Sequence, residues 1–87
     1  MMYGRATGVS HELSGDKVVI LDAKGSTMFT LNPVGSMIWI ELGTAKDASM
    51  LADTLIERFS GVSRDQLEAD IEIFLDDLFH RGLAERV

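Results

Sequence analysis

The chain has 87 residues, 14 acidic against eight basic, and a net charge of −6, a balance that repels nucleic-acid phosphates and favours cationic partners. That length holds one domain, 1–87, and with 46% hydrophobic and 25% charged residues it is globular and not disordered. Without cysteine it has no disulfide, thiolate metal site or thiol nucleophile, and without a signal-peptide core or an apolar run near the roughly 18 residues of a membrane span it reads as cytoplasmic, with no membrane partner.

Residues 1–8, with Gly4, Ala6 and Gly8, are expected to fray. Val9–Leu13 predicts a short first strand, and Ser14-Gly15-Asp16 has turn chemistry. Lys17–Asp22 is the clearest strand, its apolar run Val18-Val19-Ile20-Leu21 being mostly β-branched. Ala23-Lys24-Gly25 turns the chain back into a third strand, Ser26–Leu31. Connections this short imply antiparallel pairing, hence a three-stranded β-meander. The third strand carries no charge, so its edge has none of the usual protection against pairing with another chain.

Asn32-Pro33 marks the switch from strand to helix. Asn32 suits an N-cap, where its side chain accepts an orphan backbone N–H, and Pro33 suits N1, where a missing N–H costs nothing. The first helix runs from Pro33 to about Leu42 and stops at Gly43, a suitable C′ residue; Val34, Met37, Ile38 and Leu42 form its stripe, widened by Trp39 and Ile40. A second helix begins near Thr44 or Asp47, since Thr44-Ala-Lys-Asp47 resembles a capping box. Its inner face is Leu51, Leu55, Ile56 and Phe59. The third starts at Ser63, whose S-x-x-Q spacing to Gln66 is a capping box, and continues to about Arg81 before Gly82. Leu67, Ile71, Phe74, Leu75 and Leu78 make its core stripe, and Leu83–Val87 adds a short tail strand. The fold class is α+β, an N-terminal three-stranded antiparallel meander followed by three helices.

No active site is visible. His11 and His80 each lack a second ligand at metal spacing and are expected on the surface. Glu68, Asp70, Glu72, Asp76 and Asp77 make a solvated helix face, since neighbours in sequence do not face one another on a helix. Met28, Met37 and Met50 are expected to fill the core. There is no glycine-rich phosphate loop and no sign of a cofactor. What remains is Ile73, which falls off the core stripe, with Asp70, Asp77 and Arg81 between it and the core and Phe74 at the boundary. An apolar residue among charges beside a core edge makes a small groove. Next to an uncharged strand edge, such a groove suits an extended peptide, the strand giving backbone hydrogen bonds and the helix giving pockets. The acidic groups favour a Lys-rich peptide.

These features together resemble the PqqD family, small domains that recognise the precursors of ribosomally made, modified peptides. The resemblance spans about residues 9–86: a meander, the Leu31-Asn32 junction, an apolar helix, a second helix closing on Phe59, and a third ending Phe79-His-Arg-Gly82-Leu83. Leu31-Asn32-Pro33-Val34-Gly35 with Ile38-Trp39 is similar to the stand-alone B1 proteins of lasso-peptide pathways. The resemblance implies a winged-helix-like fold in which the leader of a precursor peptide adds as a strand beside the third β-strand and packs on the third helix. By position, that implicates Thr27, Met28, Phe29 and Thr30 on the strand and Asp70, Ile73, Phe74, Asp77 and Arg81 on the helix. It implies no catalysis by this domain and no cofactor, but delivery of the precursor to a separate leader peptidase and a cyclase. Phe29 stands where the family commonly has Tyr.

Other classes stay open. A PqqD-like chaperone could serve a radical-SAM or other peptide-modifying enzyme. A DNA-binding winged helix would need basic residues on its recognition helix, whereas the third helix carries Asp65, Glu68, Asp70, Glu72, Asp76 and Asp77 against Arg64 and Arg81. Such domains also occur fused to larger enzymes; the start at Met1 and the complete set of elements point to a free-standing protein.

Overall fold

A computed structural model describes residues 1–87. The element order is β1 (Tyr3–Arg5), β2 (Ser10–Ser14), β3 (Lys17–Leu21), β4 (Met28–Thr30), α1 (Pro33–Glu41), α2 (Ala48–Leu55), a 3-10 turn (Ile56–Arg58), α3 (Arg64–His80) and β5 (Ala84–Arg86). Strands β2, β3 and β4 form an antiparallel meander, and β1 pairs with β5 in a separate two-stranded sheet, so the fold is α+β. No helix is long and apolar enough to cross a membrane.

Local chemistry places the helices. Asn32 Oδ1 accepts the Gly35 N–H at 2.7 Å and Pro33 stands at the first position of α1. Ser63 accepts the Gln66 N–H in the same way at 3.1 Å. The cap of α2 is Asp47, which accepts the Met50 N–H at 2.8 Å; Thr44 is outside the helix. At the end of α3, Gly82 adopts φ +76°, Leu83 N–H donates to Leu78 C=O at 2.9 Å and Gly82 N–H to Phe79 C=O at 3.0 Å. This is a Schellman closure, which only glycine enters without strain.

Several expectations need correction. Residues 1–8 do not fray as a unit: Tyr3 is buried, and its strand pairs with the far end of the chain, Tyr3 opposite Arg86. The third meander strand is shorter, Met28–Thr30, because Asp22 holds the turn before it. Asp22 Oδ1 accepts the N–H groups of Ser26 and Thr27, and Asp22 N–H donates to Thr27 C=O at 3.0 Å. Helix α1 buries Gly35, Ser36, Ile38 and Trp39, with Leu42 just beyond, whereas Val34 and Ile40 are exposed. Its C-terminus is closed by no left-handed glycine. Instead Arg5 donates to Trp39 C=O (Nε 3.1 Å, Nη2 2.9 Å) and to Ile40 C=O (3.1 Å), a cation on the negative end of the helix dipole. Partial burial there holds the Arg5 pKa below its ordinary value. Helix α2 gives way to the 3-10 turn after Leu55, which leaves Phe59 extended and half-buried. Met28 and Met50 are exposed; only Met37 packs partly against the core.

One continuous core joins the layers: Val18 and Ile20 from β3, Trp39 from α1, Leu51 and Leu55 from α2, Ile71, Leu75 and Leu78 from α3. Trp39 is fully buried, its indole N–H without a partner; its ring meets His11 edge-on at 5.9 Å and Arg5 over its face at 5.4 Å. Arg64 fastens α2 to α3, bonding Asp53 at 2.6 Å, Glu68, and Ser49 through both its hydroxyl and its carbonyl. Those carboxylates raise the Arg64 pKa above its ordinary value.

Candidate peptide-binding site

Strand β4 is one of the two edges of the meander, β2 being the other, and its free backbone groups follow from the ladder. Leu31 N–H donates to Val18 C=O at 2.9 Å and Asp22 N–H to Thr27 C=O at 3.0 Å, while Phe29 lies opposite Ile20 between them. Alternation in an antiparallel pair then turns the N–H and C=O of Phe29 toward β3 and those of Met28 and Thr30 outward. The outward groups are spaced to accept one more strand.

Ser36 fixes the height of this edge. Val18 N–H donates to Ser36 Oγ at 2.8 Å, and the hydroxyl donates to Leu31 C=O at 3.3 Å. A side-chain hydroxyl thus stands inside the β3–β4 ladder and ties α1 to it.

Between β4 and α3 runs an open groove of about 360 Å³. Its strand side is Met28, Phe29, Thr30 and Leu31; its helix side is Phe74, Asp77, Leu78 and Arg81, with Leu83 beyond. Phe29 and Phe74 are half-buried and pack against the core, so the groove has an apolar floor. At the rim Arg81 Nε bonds Asp77 Oδ2 at 2.9 Å, and its guanidinium lies 5.7 Å over the Phe29 ring. A second hollow of about 280 Å³ adjoins it between α1, Phe59, Val62 and α3, with Asp70 among its lining. Phe74 is the one residue that both linings share.

Six of the nine residues singled out in the sequence therefore meet in one groove: Met28, Phe29, Thr30, Phe74, Asp77 and Arg81. Thr27 sits before the strand with its N–H and C=O already bonded to Asp22. Asp70 lines the adjoining hollow and accepts from Gln66 Nε2 at 3.0 Å. Ile73 is 70% exposed and lines a different hollow, beside Met1, Tyr3 and Arg86. The rim is less acidic than its carboxylates suggest, since Asp77 is paired with Arg81. Sequence reasoning missed Leu31, Leu78 and Leu83 as groove residues, because apolar core positions look alike whether or not a groove opens above them. It also missed the second hollow; Phe59 and Val62 around a helix break were its only signal.

The profile of the family described as Coenzyme PQQ synthesis protein D (PqqD) matches residues 17–84. Among solved structures, TbiB1 in complex with the TbiA(β) leader peptide superposes with a TM-score of 0.85 at 30% identity, over 97% of this chain and 96% of that one. A lasso peptide synthetase B1 complexed with the leader peptide superposes with a TM-score of 0.83 at 21% identity, over 97% of this chain and 98% of that one, and so shares the fold. Curated proteins gave no match.

Proposed function

This chain belongs to the PqqD family, and on that footing we propose that it is a single recognition domain that binds the leader segment of a ribosomally made precursor peptide. The leader adds as a strand to β4, bonding the outward N–H and C=O groups of Met28 and Thr30. Its alternate side chains enter the groove over Phe29 and Phe74, while Asp77 and Arg81 read its polar groups at the rim. Asp70 acts from the adjoining hollow, and Ile73, one row beyond Asp77 on α3, forms an outer lip. Thr27 sets where β4 begins. The domain catalyses nothing itself; it hands the precursor to a separate leader peptidase and a cyclase in lasso-peptide synthesis. A relative at 30% identity in complex with a leader peptide supports this. The observation that carries it is the unpaired β4 edge beside an apolar-floored groove.

The test is a fluorescence-polarisation titration with the labelled leader of the precursor encoded beside this protein, and a version stripped of its apolar residues. Saturable binding to the first and none to the second is expected. A folded protein that binds neither would overturn the proposal.

A further inference from the structure

Gly35 is buried in the first turn of α1, and its φ is not positive, so its backbone does not require glycine. Inside a helix glycine is less favourable than alanine by about 1 kcal/mol. What the position lacks is room. A Cβ there would lie 3.0 Å from Phe74 Cζ, 3.1 Å from Phe74 Cε1 and 3.2 Å from Asn32 Oδ1. The ring it would strike is the wall that the groove and the adjoining hollow share.

We propose that Gly35 is a positioning residue for peptide recognition: by leaving space for the Phe74 ring against α1, it keeps the groove beside Phe29 wide enough for a bulky apolar side chain of the peptide. This rests on the peptide-binding function above. A methyl group at position 35 pushes the ring away from α1, because cores are close-packed and a contact near 3 Å has to relax by moving one partner. The ring that moves is half-buried, with open groove beside it. Gly35, itself in the lining of the adjoining hollow, thus bears on which peptide side chains fit through the ring of Phe74.

The experiment is a double-mutant cycle of wild type, Gly35→Ala, Phe74→Leu and the double variant. Each is titrated with the labelled leader and with a copy whose bulkiest groove-facing residue is alanine, after circular dichroism confirms the fold. Gly35→Ala is expected to weaken binding of the intact leader about tenfold and to weaken the alanine copy far less. Leucine lacks the two ring atoms that the new methyl would meet, so Gly35→Ala has no further effect in the Phe74→Leu background. Equal losses in both backgrounds would overturn the inference, since the Asn32 cap and not the ring would then be responsible. So would wild-type affinity in Gly35→Ala. The wild-type titration judges the peptide-binding function separately: if it shows no binding, that function fails and this inference with it.

Discussion

Single residues carry tasks here that their types alone do not announce. Ser36 is the clearest, a buried hydroxyl satisfied on both sides by the ladder it interrupts. Ser36→Ala leaves the Val18 N–H and the Leu31 C=O unpaired in the interior. Each such group costs about 1–3 kcal/mol, so a loss of at least about 2 kcal/mol in urea unfolding is expected. Asp22 works in the opposite setting, at the surface. Hydrogen bonds from the Ser26 and Thr27 backbone hold its carboxyl below the ordinary value of 3.8. A depressed carboxyl contributes stability above its unfolded pKa and loses it as pH falls through the folded one. The β3–β4 turn should therefore loosen only below about pH 4, seen as a rise in Ser26 and Thr27 amide exchange beyond the intrinsic trend. Asp22→Asn, which does not ionise, should abolish that acid-dependent step. Farther out on α3, Ile73→Asp alters a side chain already in solvent, so the fold should be unaffected. If Ile73 is the outer lip, leader affinity falls; unchanged affinity removes it from the site.

Among the elements, β4 has the sharpest expectation. Thr30 N–H points away from β3, and proline is tolerated in a strand when its missing donor faces outward. Thr30→Pro should keep the fold yet weaken leader binding at least about tenfold, by removing one backbone hydrogen bond and its neighbours' alignment. In the free protein, the Met28 and Thr30 amides should exchange faster than Phe29, and all three should slow when leader is added. Elements with local signals were legible in the sequence: Asn32, Ser63 and Gly82 each close a helix end through residues three to five positions away. The groove was legible in part, because Phe74, Asp77 and Arg81 share one helix face and β4 is uncharged. The strand β1 was not, because Tyr-Gly-Arg has no strand period of its own and its partner lies some eighty residues away. Nor was the role of Arg5, which depends on that distant pairing bringing it to the end of α1. Periodicity showed that Ile73 leaves the core; only the packed molecule shows which hollow receives it.

For the molecule as a whole, stability is spread between two small sheets and a helical layer, with little to spare at this size. Tyr3 is buried against Phe79, their rings edge to face at 6.5 Å, and Arg86 stacks on both. Removing residues 1–6 exposes that cluster and takes Arg5 from the end of α1. Losing one buried aromatic costs about 1.5–3 kcal/mol, which lowers Tm by roughly 6–24 °C in a domain this short. A differential scanning measurement on the truncated protein checks it.

The pairing of β1 with β5 brings the two ends of the chain together, Val87 N–H donating to Met2 C=O at 2.9 Å. The order in which the elements are strung is then separable from the shape they make. A circular permutant, with Val87 joined to Met1 through a short Gly-Ser linker and new ends opened between Gly15 and Asp16, keeps every strand pair and both walls of the groove. It should fold, and it would place the termini at the β2–β3 turn, so that a fused enzyme or fluorophore could be attached there without touching either paired end.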